Sequence, residues 1–314
     1  MIEQIKSNCV IVTTSNVKCD SILEYETILE LVDIIQYKYA MFDEVYWVIA
    51  NTGTKYPISY KDILNINIGD YKKKVLIWIG EESGQLPPKQ IVSIYDVIFK
   101  SYMKSDLNMS KVYALPLITP KIPLVDFVPF EKRKYNVFYS GNLNKNRVSL
   151  YLSLNPNLFW GEKFASRFYK IKGGTKLFNL LYNGKEYDFS YLFENSILKF
   201  NNGFYTGFSR DEYINITANS KIILSPKGFA SPECFRLYEA MKYGCVVITE
   251  VLPIVSFYEN IPVLQVSNWN DVHALIKSIL SNKAYLNEIS NQAVDFYNKK
   301  MSINAIVDYI IDRL

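Results

Sequence analysis

Short, continuous apolar runs alternate with longer amphipathic stretches through the first third of the chain. Residues 9–13 form an apolar and β-branched run that predicts a buried strand, and residues 21–39 carry Ile, Leu and Val at helical spacing. Further strand-like runs follow at 44–50, 74–79 and 112–117. A strand, a helix and then more buried strands predict an α/β domain with a largely parallel sheet.

The same alternation returns in the second half of the chain. Residues 135–139 and 222–224 predict strands, residues 235–241 are apolar at helical spacing, and 245–249 is another β-branched run. A second α/β domain is therefore expected.

A proline-rich stretch separates these two halves. Residues 119–130 hold three prolines in twelve positions and have no helical period, which is typical of a linker. We therefore expect a first domain at 1–118, a linker at 119–134, a second domain at 135–300, and a terminal helix at 301–314 that packs back on the first domain.

Local signals predict several helix starts in the second half. Ser209 and Glu212 have the spacing of a capping box. Asn268 or Asn270 is expected to cap a later helix, and a short helix is expected over residues 175–182.

Composition excludes several classes of function. Thirty-five basic and thirty-one acidic residues give a net charge of +4, which is too balanced for a typical nucleic-acid-binding protein. The four cysteines form no CxxC pair, so reduced thiols are expected and not a disulfide framework or a metal site. His273 is the single histidine, which leaves little basis for a Ser-His-Asp or histidine-metal mechanism.

The chain carries no obvious targeting or membrane signal. No segment approaches the roughly twenty apolar residues of a spanning helix, and the first apolar run is too short for a signal peptide. We expect a cytoplasmic protein, with peripheral contact at the inner face of the membrane left open.

The strand at 222–224 ends in a Ser-Pro-Lys-Gly loop that precedes a helix. Lys227 and Gly228 lie in this loop, and the start of a helix favours an anion such as phosphate. Arg236 and Glu239 are three residues apart and share one face of the helix. The arginine suits a diphosphate and the carboxylate a ribose diol. The alternative is an ordinary ion pair between the two on a solvated face.

The strand at 135–139 also ends in a small-residue loop with basic residues. Gly141 permits a close approach of the backbone, Asn142 follows it, and Lys145 and Arg147 bring positive charge to a helix start. This is a second anion-binding pattern, although solvated basic turns are common.

Two carboxylates follow the strand at 74–79. Glu81 and Glu82 lie at its carboxyl end, which is the edge where open α/β sheets bind ligands. A solvated acidic turn is the alternative. If a general base is needed, Glu82 is our first candidate and Glu81 the second.

The stretch SPKGFASPECFRLYEAMKYGCVVI resembles the C-terminal signature of exostosin-like glycosyltransferases. The shared features are the proline-glycine loop, a Phe-Arg-Leu triplet, Glu-Ala, and a glycine before a β-branched strand. The resemblance lies mainly in residues 135–250. It departs at Cys234, where the family often has serine, and this places the phosphate contact at that position in question.

The resemblance implies a GT-B fold, in which two Rossmann-like domains face a central cleft. It also implies a nucleotide-sugar-dependent glycosyltransferase, inverting and metal-independent, with no cofactor. The donor would be a nucleoside-diphosphate sugar and the acceptor a glycan or glycolipid, such as a bacterial surface polysaccharide or lipopolysaccharide. Neither nucleic acid nor metal is expected as a partner. The alternative is a non-catalytic nucleotide- or glycan-binding protein of the same fold.

The same resemblance assigns roles to the donor side. Arg147, Lys227 and Arg236 would neutralise the leaving diphosphate, and Glu239 would hold the ribose. Glu233 would contact hydroxyls of the donor sugar, or begin the helix favourably by its charge. Many retaining GT-B enzymes carry two glutamates separated by seven residues. Here Ser231 stands eight positions before Glu239, which favours inversion.

Overall fold

The computed structural model describes residues 1–14, 17–51, 60–105, 110–155, 185–203 and 206–314. The described residues form two sheets of six strands each, one in each half of the chain. The helix expected at 175–182 lies outside these ranges.

The first sheet is parallel except at one edge, where β1 pairs antiparallel with β2. Its strands, in pairing order, are β1 (Ile2–Lys6), β2 (Cys9–Val12), β3 (Val45–Asn51), β4 (Lys73–Ile79), β5 (Val97–Lys100) and β6 (Val112–Ala114). Every residue of β3 is buried, as expected for a central strand covered on both faces. The sequence pattern did not predict β1, whose residues are all exposed or half-buried.

The described helices that connect these strands are α1 (Tyr25–Lys38), α2 (Tyr60–Leu64) and α3 (Lys89–Ile94). Helix α1 buries Ile28, Leu31 and Ile35, which recur at helical spacing and pack in the core cluster that contains β3. The helix begins four residues later than the pattern predicted, because residues 19–21 form a separate 3-10 turn.

The second sheet is parallel except for its short edge strand β8. Its strands, in pairing order, are β12 (Leu264–Val266), β11 (Val246–Glu250), β10 (Ser220–Ser225), β7 (Tyr135–Asn142), β9 (Ile197–Asn201) and β8 (Tyr187–Asp188). The described helices of this half are α4 (Val148–Leu154), α5 (Arg210–Ala218), α6 (Phe235–Lys242), α7 (Val272–Ser281), α8 (Lys283–Phe296) and α9 (Ile303–Ile311).

Helix capping follows the sequence in one place and departs from it in another. The predicted capping box is present at α5, where Ser209 Oγ accepts from the backbone N–H of Glu212 and the Glu212 carboxylate accepts from Ser209. The prediction that Asn268 or Asn270 caps α7 is wrong. Asp271 precedes that helix and makes no side-chain capping bond. Asn268 does not cap the helix, because its side-chain oxygen accepts from the backbone N–H of Asn270 instead.

The terminal helix α9 packs on the first half of the chain. Its Ile306, Val307 and Ile310 belong to the same buried cluster as α1 and β3. The Tyr309 hydroxyl donates to the Ala114 carbonyl at 2.8 Å, and Lys38 pairs with Asp308 at 2.8 Å. The chain therefore returns to the first sheet after completing the second.

Helix α6 joins the second half to the linker. The Tyr238 hydroxyl accepts from the Leu117 N–H at 2.9 Å, and the Tyr243 hydroxyl donates to the Pro123 carbonyl at 2.6 Å. Both tyrosines are buried. These bonds fix the helix that follows the Ser-Pro-Lys-Gly loop against the first half of the chain.

No helix among the described ranges is both long and apolar enough to cross a membrane.

Candidate functional site

The carboxyl ends of both parallel sheets border one cavity of about 340 Å³. Residues that follow β2, β3, β4 and β5 line it from the first half, and residues that follow β7 and β10 line it from the second. Its polar lining includes Thr13, Glu24, Asn51, Glu82, Tyr102, Arg147, Glu233 and Cys234. A cleft between two α/β units, at the carboxyl edges of their strands, is a common place for a ligand.

Two guanidinium groups converge on Gly141, near the end of β7. A Cβ atom at Gly141 would lie 3.0 Å from Arg147 Nη1 and 3.1 Å from Arg236 Nη2. The absence of a side chain at this position therefore allows both cations to approach the same point of the backbone. The structure brings together the two predicted anion-binding patterns, which are about ninety residues apart in sequence.

Arg236 is held in place on three sides. Its Nε donates to the Tyr213 hydroxyl at 2.9 Å, and its Nη2 donates to the Ser140 carbonyl at 2.9 Å. The guanidinium also lies over the Tyr139 ring, 5.2 Å from its centroid. The guanidinium is thus directed at the carboxyl end of β7, and the residue is half-buried.

Arg147 precedes α4 and is buried. Its Nη1 donates to both the carbonyl and the side-chain oxygen of Asn142, at 2.8 and 2.7 Å, and its Nε donates to the Lys227 carbonyl at 3.3 Å. Asn142 therefore positions the guanidinium, because both of its oxygens accept from it.

The backbone N–H groups of Lys227 and Gly228 have protein partners. Lys227 N donates to Glu250 Oε2 at 2.7 Å, and Gly228 N donates to the Ser231 carbonyl at 3.0 Å. Neither of these two N–H groups is therefore free to bind a phosphate. The loop is also bonded to the segment before α4, where Asn146 Nδ2 donates to the Gly228 carbonyl at 2.7 Å.

Glu239 does not pair with Arg236. It is 2% exposed, and its Oε1 accepts from Arg210 Nη1 of α5 at 2.5 Å. The alternative of an i, i+3 ion pair on a solvated face is therefore wrong. Sequence spacing could not reveal Arg210 as the partner, because the contact joins two different helices.

Glu233 is buried beneath the cavity. It accepts from the Ser231 hydroxyl at 3.0 Å and from the Tyr258 hydroxyl at 2.7 Å. Burial raises the pKa of Glu233 to about 7, although both hydrogen bonds oppose the shift. The Tyr258 hydroxyl also bonds to the hydroxyl of Tyr238 at 2.8 Å. The hydrogen bonds of Glu233 therefore continue through Tyr258 to helix α6.

Cys234 precedes helix α6 and borders the cavity. Its sulfur lies 3.0 Å from the Ser225 hydroxyl and makes no capping bond to the helix. The thiol at the position where the family often has serine thus bonds to the end of β10.

The Glu81 carboxylate is hydrogen-bonded within its own loop. Its carboxylate accepts from the backbone N–H groups of Ser83 and Gln85, at 3.0 and 2.9 Å, and pairs with the fully buried Lys100 at 3.0 Å. Burial raises the pKa of Glu81, but the Ser83 bonds and the Lys100 charge outweigh it and lower the pKa overall. Such a carboxylate is a weak base with little free capacity to accept a proton.

Glu82 reaches across the cleft. Burial raises its pKa, while hydrogen bonds from the backbone N–H groups of Ala230 and Phe229 and the charge of Arg147 oppose the shift. Those two N–H groups belong to the loop of the second half, so the carboxylate connects the two units.

Glu24 and Tyr102 also line this cavity, and the sequence pattern pointed to neither of them. Burial raises the pKa of Glu24 to about 7, and the nearby charge of Glu82 adds to the shift. Tyr102 is buried and has a φ of 59°, a left-handed conformation that tends to occur at functional sites. Glu24 follows the loop after β2, and this position at the carboxyl edge of the sheet was the available signal.

No group of three or more His, Cys, Asp or Glu side chains within the described ranges is placed to hold a metal ion.

Comparison with solved structures identifies the architecture. A variant of S. aureus TarM, solved with fondaparinux, alpha-GlcNAc-glycerol and UDP, is similar at a TM-score of 0.50 and 12% identity over 90% of this chain. This chain spans 58% of the length of that TarM chain. Anabaena HepE in complex with UDP is similar at a TM-score of 0.42 and 10% identity, over 90% of this chain and 80% of that one. A DNA-modifying beta-glucosyltransferase gives a TM-score of 0.44 and 11% identity, over 96% and 98% of the two chains.

The curated proteins contain no match to this chain.

Most of the second half of the chain matches one sequence family model. The RXYLT1 C-terminal domain matches residues 163–299, which include β8 to β12 and the loop and helix that carry Lys227, Arg236 and Glu239. This range overlaps the exostosin-like resemblance of residues 135–250. The fold is α/β of the GT-B type, and the second half of the chain is similar to the RXYLT1 C-terminal domain.

Proposed function

We propose that this protein is a glycosyltransferase that moves a sugar from a nucleoside diphosphate to a glycan or glycolipid acceptor. The observation that carries the proposal is the convergence of Arg147 and Arg236 on Gly141, together with the position of Arg147 in the same cavity as Glu24 and Glu82 of the first half. Two preorganised guanidinium groups suit the negative charge that develops on a leaving diphosphate.

The diphosphate would bind where the two guanidinium groups meet, with Lys227 as a third cation and Gly228 in the supporting loop. Arginine offers bidentate donors to phosphate oxygens and stays charged at any physiological pH. These cations would supply the charge stabilisation that a divalent ion supplies in other transferases, so the reaction would be independent of metal.

The remaining donor contacts would come from two buried glutamates. Glu239 would accept from the ribose hydroxyls, with Arg210 fixing the orientation of its carboxylate. Glu233 would accept from a hydroxyl of the donor sugar, near the start of α6.

Transfer would proceed with inversion at the anomeric carbon. A carboxylate of the first half would accept the proton of the attacking hydroxyl. Of the two residues that the sequence suggested, Glu82 lies in the cleft, whereas Glu81 is bound by Lys100 and its own loop. Glu82 is therefore the base candidate of that pair.

The comparisons support the donor class and the general acceptor class. The TarM and HepE structures contain UDP, and the TarM structure also contains carbohydrates. We propose a uridine diphosphate sugar as the first donor to test. The acceptor would belong to a bacterial surface polysaccharide or lipopolysaccharide, reached from the cytoplasmic face of the membrane.

Two measurements test this function. The protein is incubated with UDP-hexoses and UDP-pentoses, a panel of oligosaccharides and EDTA, and the products are analysed by mass spectrometry and NMR. We expect a mass increase of one sugar, formed with EDTA present, and an anomeric configuration opposite to that of the donor. Tight UDP binding without transfer to any acceptor would favour the non-catalytic alternative, and retention would contradict the stereochemical proposal.

A further inference from the structure

Glu24 presents a carboxylate to the cleft, and no lysine or arginine within the described residues forms a salt bridge with it. It lies immediately before α1, and its Oε2 accepts from the side-chain amide of Asn51, the last residue of β3, at 3.2 Å. The amide of Asn51 therefore orients the carboxylate, and no cation of the described residues neutralises its charge.

The surroundings of Glu24 favour its protonated form. Glu82 is its charged neighbour in the cavity, and the electrostatic influence of both glutamates reaches Tyr102. A half-buried carboxylate beside a second one holds a proton at neutral pH more readily than a solvated one. A base with a pKa near the working pH is the most effective acceptor of a hydroxyl proton.

Glu82 is placed for a different task. Its Oε2 lies beside the loop of the second half, 3.9 Å from the position of a Cβ atom at Gly228. The backbone N–H groups of Phe229 and Ala230 and the charge of Arg147 favour its ionised form, so Glu82 is a poorer proton acceptor than Glu24. The contact with Gly228 and Phe229 places Glu82 between the loop 226–234 and the first half.

We infer that Glu24 accepts the proton of the acceptor hydroxyl and that Glu82 is a positioning residue that holds the donor loop against the first half. The inference rests on the proposed transferase function and names the group that completes its chemistry. The sequence suggested Glu82 or Glu81 as the general base, whereas the structure leaves Glu24 and Glu82 as the two candidates.

The transfer needs no group beyond the two substrates and these side chains. The acceptor oxygen forms a bond to the anomeric carbon as its proton passes to the Glu24 carboxylate. The bond between the anomeric carbon and the diphosphate oxygen breaks, and its electron pair stays on the diphosphate beside Arg147 and Arg236. The proton on Glu24 is returned to solvent after the products leave.

The test compares Glu24→Gln with Glu82→Gln in the full chain. For Glu24→Gln we expect at least a hundredfold lower kcat for sugar transfer, with the Kd for UDP within twofold of the parent value. For Glu82→Gln we expect a severalfold weaker Kd for UDP and a kcat within tenfold. Glu26→Gln is the matched control, because it makes the same change on α1 at an exposed side chain.

A pH profile separates proton transfer from a purely structural role. The kcat of the parent should rise with pH as Glu24 ionises. In Glu24→Gln the kcat should no longer rise over this pH range. Asn51, Glu82 and Tyr102 face Glu24 from the other elements and are unchanged in that variant. Unchanged UDP binding in Glu24→Gln shows that the variant is folded.

Two outcomes would overturn the inference while leaving the transferase function intact. One is a hundredfold loss of kcat in Glu82→Gln with near-normal turnover in Glu24→Gln. The other is a kcat that still rises with pH in Glu24→Gln as it does in the parent. Absence of both UDP binding and transfer in the parent protein would instead refute the function on which the inference depends.

Discussion

At the scale of single residues, Gly141 determines whether two cations can share one binding point. The nearest atoms to a Cβ at this position are the guanidinium nitrogens of Arg147 and Arg236 and the hydroxyl of Tyr139, all at 3.0–3.1 Å. Both arginines are also anchored by hydrogen bonds, so neither can move aside without losing one.

Gly141→Ala should therefore impair binding more than folding. We expect the added methyl group to displace at least one guanidinium and to weaken UDP binding by about 1–3 kcal/mol, the scale of one lost charged hydrogen bond. Isothermal titration calorimetry measures the affinity. Gly69→Ala, at an exposed glycine before β4, is the control. UDP affinity equal to that of the parent would show that the methyl group is accommodated and that the cationic pair is not the binding point.

Glu233 makes stability depend on pH. Its pKa is raised from 4.5 to about 7 in the folded protein, so the folded state binds the proton more tightly than the unfolded chain. The stabilising contribution is fully present below the unfolded pKa and is lost as pH rises through the folded one.

We expect the free energy of unfolding of the parent to fall between pH 4.5 and about 7, and Glu233→Gln to show a shallower decline. Glu24 contributes a decline in the same direction, so the slope should not vanish. Urea unfolding at several pH values measures both proteins. Identical slopes would show that Glu233 titrates normally in the folded state.

At the scale of elements, Arg133 fixes the second sheet to helix α6. The residue is buried, and its guanidinium donates to the carbonyls of Ser220, Tyr243 and Gly244, at 3.1, 2.5 and 2.8 Å. These carbonyls lie at the start of β10 and at the end of α6. One side chain before β7 thus satisfies backbone groups on two later elements.

Arg133→Met should destabilise the protein by about 3 kcal/mol or more, because it leaves buried carbonyls without a donor. Chemical denaturation gives the change, and Lys134→Met at the exposed neighbouring position is the control. A loss of less than about 0.5 kcal/mol, as for an ordinary surface site, would contradict this account.

The elements were more predictable from the sequence than their contacts. Fully buried strands such as β2 and β3 lie in largely continuous apolar runs, and their hydrophobic pattern alone predicts them. The edge strand β1 has no such pattern, because pairing on one side does not require burial. The start of α7 was misplaced because asparagines at 268 and 270 bond locally instead of capping.

The site was predictable only in its separate parts. Arg147 and Arg236 each stand in a recognisable loop-to-helix pattern, but their approach at Gly141 depends on the pairing of β7 with β10. The Arg210 partner of Glu239 and the cleft position of Glu24 arise from tertiary packing. Spacing along one element cannot predict them.

At the scale of the whole molecule, the two halves bring different charged groups to one cleft. The first half contributes the carboxylates of Glu24 and Glu82, and the second contributes Arg147 and the buried Glu233. Arg236 lies next to Arg147 at Gly141, and Glu82 lies beside the loop of the second half. Helix α6 and the terminal helix α9 fix the two halves together. A substrate held between them would have its diphosphate on one side and its reacting hydroxyl on the other.

The central claim is that protein cations, and no metal ion, bind the diphosphate. The most direct test is calorimetric titration of UDP with EDTA present, into the parent, Arg236→Ala and Lys242→Ala. We predict that the parent binds, that Arg236→Ala binds more weakly by about 1.5–3 kcal/mol, and that Lys242→Ala, at the far end of the same helix, binds like the parent. Parent binding that requires an added divalent ion, or Arg236→Ala that binds as tightly as the parent, would contradict the claim.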